Sequence, residues 1–286
     1  MKLLIHSSAK IVHSNRSCHN ILKLPVQENL DWFKSYGFLL FRGFEVDSKK
    51  MKAFAEQFSS RFIRDRGRPL VDSSDGFVSL VDGGTHYISP HCEHANSPFR
   101  PDVVWFCCAV PVAQGGETLV WDGVQVWQEM SEELRKLFLD KKIRFFQKFP
   151  AAAWKYFLGT GSTIVDVKKT LDSLEGVSYQ INPDQSVSLE YVCSAVVKTR
   201  YHNHDAFANS LISEYKNPRG VVTFEDGSPI PEAAINEIKE IMNRLTEVIS
   251  WQFGDLAMID NTRFLHGRRA FKDTKRRILS LLSYLK

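Results

Sequence analysis

Residues 253–285, FGDLAMIDNTRFLHGRRAFKDTKRRILSLLSYL, contain three strand-like runs and no helix. The runs are 256–260 (LAMID), 264–267 (FLHG) and 278–285 (ILSLLSYL), separated by polar, glycine-containing or basic turns. Consecutive strands this close together are antiparallel neighbours, because a parallel pair needs a long crossover, usually a helix. The ending therefore argues against βαβ alternation and for an all-β core.

The rest of the chain has the same texture. Residues 37–44 (GFLLFRGF), 76–81 (GFVSLV), 101–110 (PDVVWFCCAV), 118–121, 143–149, 187–189 and 195–199 read as short strands. Helical spacing marks residues 27–36, with Leu30, Phe33 and Tyr36, and residues 49–58, with Met51, Phe54, Ala55 and Phe58. Ser131 opens a helix over 131–139. Pro231 opens another over 231–250, whose stripe runs through Ile235, Ile238, Ile241, Met242, Leu245, Val248 and Ile249. The expected architecture is mainly β with helices: a double-stranded β-helix (jelly-roll) core, a helical N-terminal cap and a helical insertion. One domain is expected over residues 1–286. The cap covers 1–75, the core 76–286, and the insertion lies at about 122–250. Lid loops are expected near 61–75, 84–90 and 150–180.

Composition narrows the function. With 43% hydrophobic and 24% charged residues the chain is not disordered. A net charge of +4 spread along the sequence is too small for a dedicated nucleic-acid binder. No glycine-rich phosphate loop follows a strand, which argues against nucleotide chemistry. The apolar start, MKLLI, is too short for a signal peptide, and no apolar run is long enough to span a membrane. The five cysteines, at 18, 92, 107, 108 and 193, form neither a disulfide framework nor a zinc ribbon. Free thiols in a reducing, cytoplasmic setting are the expectation.

Four local patterns could carry chemistry. In His91-Cys92-Glu93, a strand would put imidazole and carboxylate on one face with Cys92 turned away. His266 ends a strand and is followed by Gly267, where the backbone could turn sharply. Two histidines and a carboxylate bind one face of an octahedral Fe(II) and leave positions open. Arg276 and Arg277 stand just beyond, and the apolar run after them draws at least one guanidinium inward, where a carboxylate is its best partner. Gly115-Gly116-Glu117-Thr118 breaks a strand edge and offers a hydroxyl to the same carboxylate. Each pattern alone is common: a polar pair, a basic turn, a β-turn. His202 and His204 read as a solvated loop pair, and Asp260 and Asn261 as braces for the His266 strand.

Their order carries more. His91-Cys92-Glu93-His94, then Pro101 and CAVPVAQGGETLVWD (108–122), then FGDLAMIDNTRFLHGRRAF (253–271), then Arg276-Arg277 resembles the taurine dioxygenase-like family of Fe(II)/2-oxoglutarate oxygenases. The resemblance runs from about residue 40 nearly to the end. It is closest to clavaminate synthase-like members that tailor amino acids and related metabolites in natural-product pathways. It implies Fe(II) on His91, Glu93 and His266, and 2-oxoglutarate held at its distal carboxylate by Thr118 and Arg277. It implies O2 as co-substrate and a small-molecule substrate, an amino acid or amino-acid-derived intermediate that is free or tethered to a carrier protein. It also implies a pocket residue at Asn209 and an acid-binding contact at Arg200. Glu93 itself argues against halogenation, because halogenating relatives have a small residue there. Hydroxylation of an aliphatic carbon is the expected outcome.

Two other readings fit the same residues. A cupin-type dioxygenase that does not use 2-oxoglutarate would keep the two histidines and the glutamate but have no use for Thr118 and Arg277. A non-catalytic barrel that binds a small acid would be expected to have lost a metal ligand. The sequence leaves the oligomeric state open.

Overall fold

The computed structural model describes residues 9–15, 18–65, 68–71, 76–81, 84–158, 161–217 and 220–286. The chain opens with β1 (Lys10–His13), α1 (Val26–Tyr36), β2 (Phe38–Arg42), α2 (Ser48–Glu56) and β3 (Ser59–Ile63). Gly37 ends α1 with φ 70° and donates to the Phe33 carbonyl. A Cβ at this position would lie 2.9 Å from the Phe264 ring, so the helix-to-strand turn needs glycine. Asp47 caps α2 by accepting from the Lys50 N–H at 2.8 Å.

Strands β4 (Ser79–Leu80), β5 (Ile88–His91), β6 (Val103–Val110) and β7 (Thr118–Asp122) follow. The chain then leaves the core through α3 (Gly123–Glu129), α4 (Glu132–Asp140), β8 (Ile143–Phe149), α5 (Ala151–Leu158) and α6 (Ile164–Asp172). It continues through β9 (Val177–Ile181), β10 (Val187–Cys193), β11 (Val197–Lys198), β12 (Asp205–Ala206), α7 (Leu211–Glu214), β13 (Gly220–Phe224) and α8 (Glu232–Leu245). It returns with β14 (Glu247–Ile249), β15 (Leu256–Asp260), β16 (Phe264–Arg268) and β17 (Arg277–Leu285).

Two sheets form the core. The major one runs β1-β2-β15-β6-β17-β3, with β4 also on β17; the minor one runs β14-β7-β16-β5. Side-chain alternation sorts the major sheet. Val104, Phe106, Cys108, Ala257, Ile259, Ile278 and Leu282 share a core with Val120, Ile249 and Phe264 of the minor sheet. Val103, Trp105, Cys107, Leu256, Met258, Leu279 and Leu281 pack on the other face, against Phe33, Met51, Phe54 and Phe58 of the opening segment. Both faces of β6 are therefore covered, which is why PDVVWFCCAV is a continuous apolar run rather than an alternating one. The outer face of the minor sheet, Leu119, Trp121 and Leu265, packs on the insertion.

Three differences from the sequence reading have local causes. The opening segment is more than a cap, because β1, β2 and β3 join the major sheet. The late helix stops at Leu245, and Val248 and Ile249 instead pair with Leu119 and Thr118 of β7. The apolar stripe runs on because Val248 packs into the same core as the helix, while Ile249 turns into the core between the two sheets. Where a loop is expected near 150–180, residues 151–158, 164–172 and 177–181 form α5, α6 and β9, packed into a satellite core around Trp154. Of the loop near 61–75, residues 66–67 and 72–75 lie outside the described residues.

Candidate active site

The two sheets enclose a cavity of about 540 Å³, and the sequence-predicted metal ligands line it. His91 is the last residue of β5 and stands directly opposite His266 of β16 in the antiparallel register. That pairing puts the two imidazoles 4.5 Å apart between centroids. His266 shares its parity on β16 with Phe264, so it points between the sheets, where the Phe106 ring meets it edge-on at 5.1 Å.

Glu93 reaches the same place by a different route from the one expected. The strand ends at His91, and Glu93 lies in the following turn, where His94 has φ 55°. Two side chains hold that turn. Asn261 accepts from the Glu93 N–H at 2.9 Å and donates to its carbonyl at 2.9 Å. Ser210 donates to the Cys92 carbonyl at 2.9 Å. The ligand atoms of His91, Glu93 and His266 all lie within 4.8 Å of one another. Among the described residues this is the group fit to hold a metal.

The donors are set for a cation. The Nδ1 of His91 lies 2.9 Å from the Ser89 carbonyl, which fixes the proton there and leaves Nε2 as a bare lone pair. Neither nitrogen of buried His266 has a hydrogen-bond partner, and its Nε2 lies 3.4 Å from Glu93 Oε1. Two imidazoles and one carboxylate, with no thiolate, match a facial Fe(II) site rather than a closed zinc site. Desolvation and the neighbouring His266 push the His91 pKa down to about 4. Burial pushes Glu93 up, but Arg68 and the two neighbouring imidazoles outweigh it and hold the carboxyl well below its usual range. In these protonation states both are ready to bind metal.

A second pole of the cavity is built for an anion. Buried Thr118 accepts a hydrogen bond from Trp251 Nε1 at 2.9 Å, which leaves its own O–H to donate elsewhere. The guanidinium beside it on the cavity wall belongs to Arg276; Arg277 is exposed. Arg277, expected at this pole, stands one position off the cavity wall. Ile278 faces the inter-sheet core, and Arg276 shares its parity, whereas Arg277 falls on the opposite side. Gly116 makes the room: a Cβ there would lie 2.8 Å from Arg276 Cδ. Arg276 and Arg268 flank the Phe271 ring at 5.3 and 5.0 Å. Burial, then Arg268, push the Arg276 pKa down to about 10, so it stays charged at neutral pH.

Two further expectations move out of the site. Asn209 is a fully buried brace that donates to the Ala195 carbonyl at 2.7 Å and accepts from the Leu211 N–H at 2.8 Å. It supports α7, and it does not line the cavity. Arg200 pairs with Asp102 at 2.9 Å and lines a separate groove with Tyr201 and Lys286. Both expectations rest on a resemblance rather than on local pattern, and the structure places both side chains off the cavity wall. His202 meets the Lys34 carbonyl at 2.9 Å on the surface, far from any metal cluster.

The cavity also holds residues outside the sequence expectations. Arg68, from the loop after β3, donates to Glu93 Oε1 at 2.6 Å. Arg268 donates to the His86 carbonyl at 3.0 Å. Glu214 closes α7 and accepts from Asn96 at 3.1 Å and Asn217 at 2.8 Å. Arg268 is open to discovery from sequence, since it lies two residues past His266 on one strand. Arg68 and Glu214 lie in segments without periodicity and carry no such signal.

Comparisons with known proteins bear on the family and the fold. Residues 11–282 match the family described as taurine catabolism dioxygenase TauD, TfdA family. A clavaminate synthase-like protein of Arabidopsis thaliana is 27% identical over 86% of this chain and 81% of its own length. The dapdiamide synthesis protein DdaC of Enterobacter agglomerans is 22% identical over 87% and 82%. Among solved structures, PvcB of Pseudomonas aeruginosa superposes with a TM-score of 0.61 at 15% identity, covering 97% of this chain and 86% of that one.

Proposed function

Because the chain belongs to the taurine catabolism dioxygenase TauD, TfdA family and is an Fe(II)- and 2-oxoglutarate-dependent dioxygenase, we propose that His91, Glu93 and His266 hold its iron and that it hydroxylates an aliphatic carbon of a small amino-acid-derived metabolite. The observation that carries the site assignment is the buried His266, whose two nitrogens make no hydrogen bond while Glu93 and His91 converge on it. With iron bound, the metal, 2-oxoglutarate and O2 supply the oxidant for an unactivated C–H bond, releasing succinate and CO2. The protein's own part is placement. Arg276 and the free O–H of Thr118 take the distal carboxylate of 2-oxoglutarate, which fixes its orientation before reaction. Phe106 and Ile278 keep that wall apolar.

The amino-acid reading rests on charge. The cavity wall offers guanidinium groups for an acid and the Glu214 carboxylate for an ammonium group. Dapdiamide synthesis, in the name of one relative, supports a biosynthetic role. We propose one catalytic domain over the whole chain, a cytoplasmic location consistent with five unpaired thiols, and a substrate that is free or carried on a protein. No helix among the described residues is long and apolar enough to cross a membrane.

The test is spectroscopic. Fe(II) is added to metal-free protein without oxygen, 2-oxoglutarate is titrated, and the visible spectrum is recorded. A charge-transfer band from keto-acid chelation is expected in the wild type and absent in His266→Ala. Iron binding with no band, and O2 uptake that ignores 2-oxoglutarate, would instead favour a keto-acid-independent dioxygenase.

A further inference from the structure

We infer that Glu214 binds a primary ammonium group of the substrate, so that the molecule oxidised carries a free, unacylated amine. This deepens the amino-acid reading above, and it rests on His91, Glu93 and His266 holding the metal.

Among the described residues two carboxylates line the cavity, and their surroundings differ. Glu93 is buried, paired with Arg68 at 2.6 Å and grouped with the two histidines. Glu214 is half-buried, and its partners are neutral amides. Asn96 Nδ2 donates to its Oε1 at 3.1 Å, and Asn217 Nδ2 donates to its Oε2 at 2.8 Å. Among the described residues no Lys, Arg or His pairs with it. Lys216, two positions on, pairs instead with Glu232 at 3.2 Å. Amide hydrogen bonds orient a carboxylate without cancelling its charge. A carboxylate partly withdrawn from water and still uncompensated favours a cationic ligand over a neutral one. Each oxygen spends one lone pair on an amide and keeps another. A primary ammonium needs a single such site, whereas a guanidinium needs two in parallel.

Glu214 is also fixed relative to the metal ligands. Ser210 Oγ donates to the Cys92 carbonyl at 2.9 Å, and the Cys92 N–H donates to the Asn209 carbonyl at 3.1 Å. The start of α7 is thereby tied to the turn that carries Glu93. Glu214 follows one helical turn later, its N–H bonded to the Ser210 carbonyl at 3.0 Å, about 6 Å along the axis. Asn96, which orients its carboxylate, lies three residues past Glu93 in the same run of turns. One segment thus carries a metal ligand and aims the amine ligand. Charge then sorts the two small molecules. The dianionic keto acid goes to Arg276 and is repelled by Glu214, while an amine goes the other way. The carbon oxidised is selected by its separation from the amine. An N-acylated amine loses the charge and is rejected, so a substrate carried on a protein is attached through its carboxyl end.

The experiment uses the full chain loaded with Mn(II) and saturating 2-oxoglutarate. Butylammonium and, separately, neutral butanol are titrated, and relaxation of their protons by the bound Mn(II) is followed by NMR. Wild type is expected to relax butylammonium saturably, with an affinity at least about tenfold above that for butanol. Glu214→Gln is expected to bring butylammonium down to about the butanol level while binding Mn(II) and 2-oxoglutarate as wild type does. Glu214→Asp, with the charge on a shorter arm, is expected to fall between them. Butylammonium relaxed no more than butanol in wild type would overturn the inference without any variant. So would butylammonium affinity that survives Glu214→Gln, or butylguanidinium bound more tightly than butylammonium. Mn(II) affinity that falls in Glu214→Gln would also overturn it, since Glu214 would then be a support of the Glu93 turn. Failure of wild type to bind Mn(II) at all would instead remove the metal assignment beneath it.

Discussion

Asn261 holds the backbone of Glu93 from both sides, accepting from its N–H and donating to its carbonyl, each at 2.9 Å. The same Nδ2 also donates to the Pro101 carbonyl at 2.9 Å. A buried side-chain amide thus stands in for the strand that ends at His91, and it keeps a carboxylate in position on a turn. Asn261→Ala leaves three buried backbone groups without partners. A stability loss of about 2–4 kcal/mol is expected, together with a metal affinity about 10–100-fold weaker. Thermal melting and Mn(II) titration read the two effects. Unchanged metal affinity in a folded variant would show that Glu93 is placed by something other than Asn261.

That contact also shows which parts of the molecule can be read in advance. The jelly-roll strands are legible because short apolar runs with polar turns have few other solutions, and β6, β15, β16 and β17 fall where expected. His91 and Glu93 do converge, but by a different local route from the one their spacing suggests. Residue spacing cannot distinguish a continuing strand from a turn held by a side chain about 170 positions away. Arg276 against Arg277 is undecidable by alternation, since helices cover one face of β17 and the minor sheet the other, so both parities read as apolar. Arg68 depends on how a loop folds over the sandwich, which no periodicity encodes.

The shift from Arg277 to Arg276 can be measured directly. Arg276→Leu removes a half-buried guanidinium from the wall shared with Thr118. A loss of about 2–5 kcal/mol in 2-oxoglutarate binding is expected. Arg277→Leu changes an exposed side chain and is expected to stay within about 0.5 kcal/mol of wild type. Thr118→Val is expected to cost about 1.5–3 kcal/mol, the worth of a hydrogen bond to a charged group. The concentration of 2-oxoglutarate giving half-maximal visible absorbance separates the three. A larger effect at Arg277 than at Arg276 would reverse the assignment.

The thiols give a check on the core that does not involve the active site. Burial pushes the Cys92 and Cys108 thiols up to about 12 and raises Cys107 further. Cys193, also raised mainly by burial, reaches about 11. At pH 8 these four are almost wholly protonated, and the thiolate is the reactive form. Native protein is therefore expected to show one fast thiol toward Ellman's reagent, partly exposed Cys18, and five after denaturation. The slow phase for Cys193 should quicken about tenfold per pH unit below its pKa. Two or more fast thiols at pH 8 would show that at least one of these four is less shielded than its packing indicates.

Gly267 does a different job from the one its sequence position suggests. It lies inside β16 rather than at a turn, between His266 and Arg268. A Cβ there would sit 2.5 Å from the Ile88 carbonyl and 3.2 Å from the Trp121 ring. The glycine is needed because β5 crosses β16 closely at this point, and the register there is irregular between His266 and Arg268. Gly267→Ala must push β5 away, and with it His91, the partner of His266 in the pair. Overpacking against backbone is expected to cost about 1–3 kcal/mol. The displaced imidazole is expected to weaken Mn(II) binding about tenfold or more. Gly161, where an added Cβ would meet nothing within 4 Å, supplies the control, and Gly161→Ala is expected to leave both measurements unchanged. If Gly267→Ala melts earlier but binds metal normally, β5 yields elsewhere and the histidine pair does not depend on this close approach.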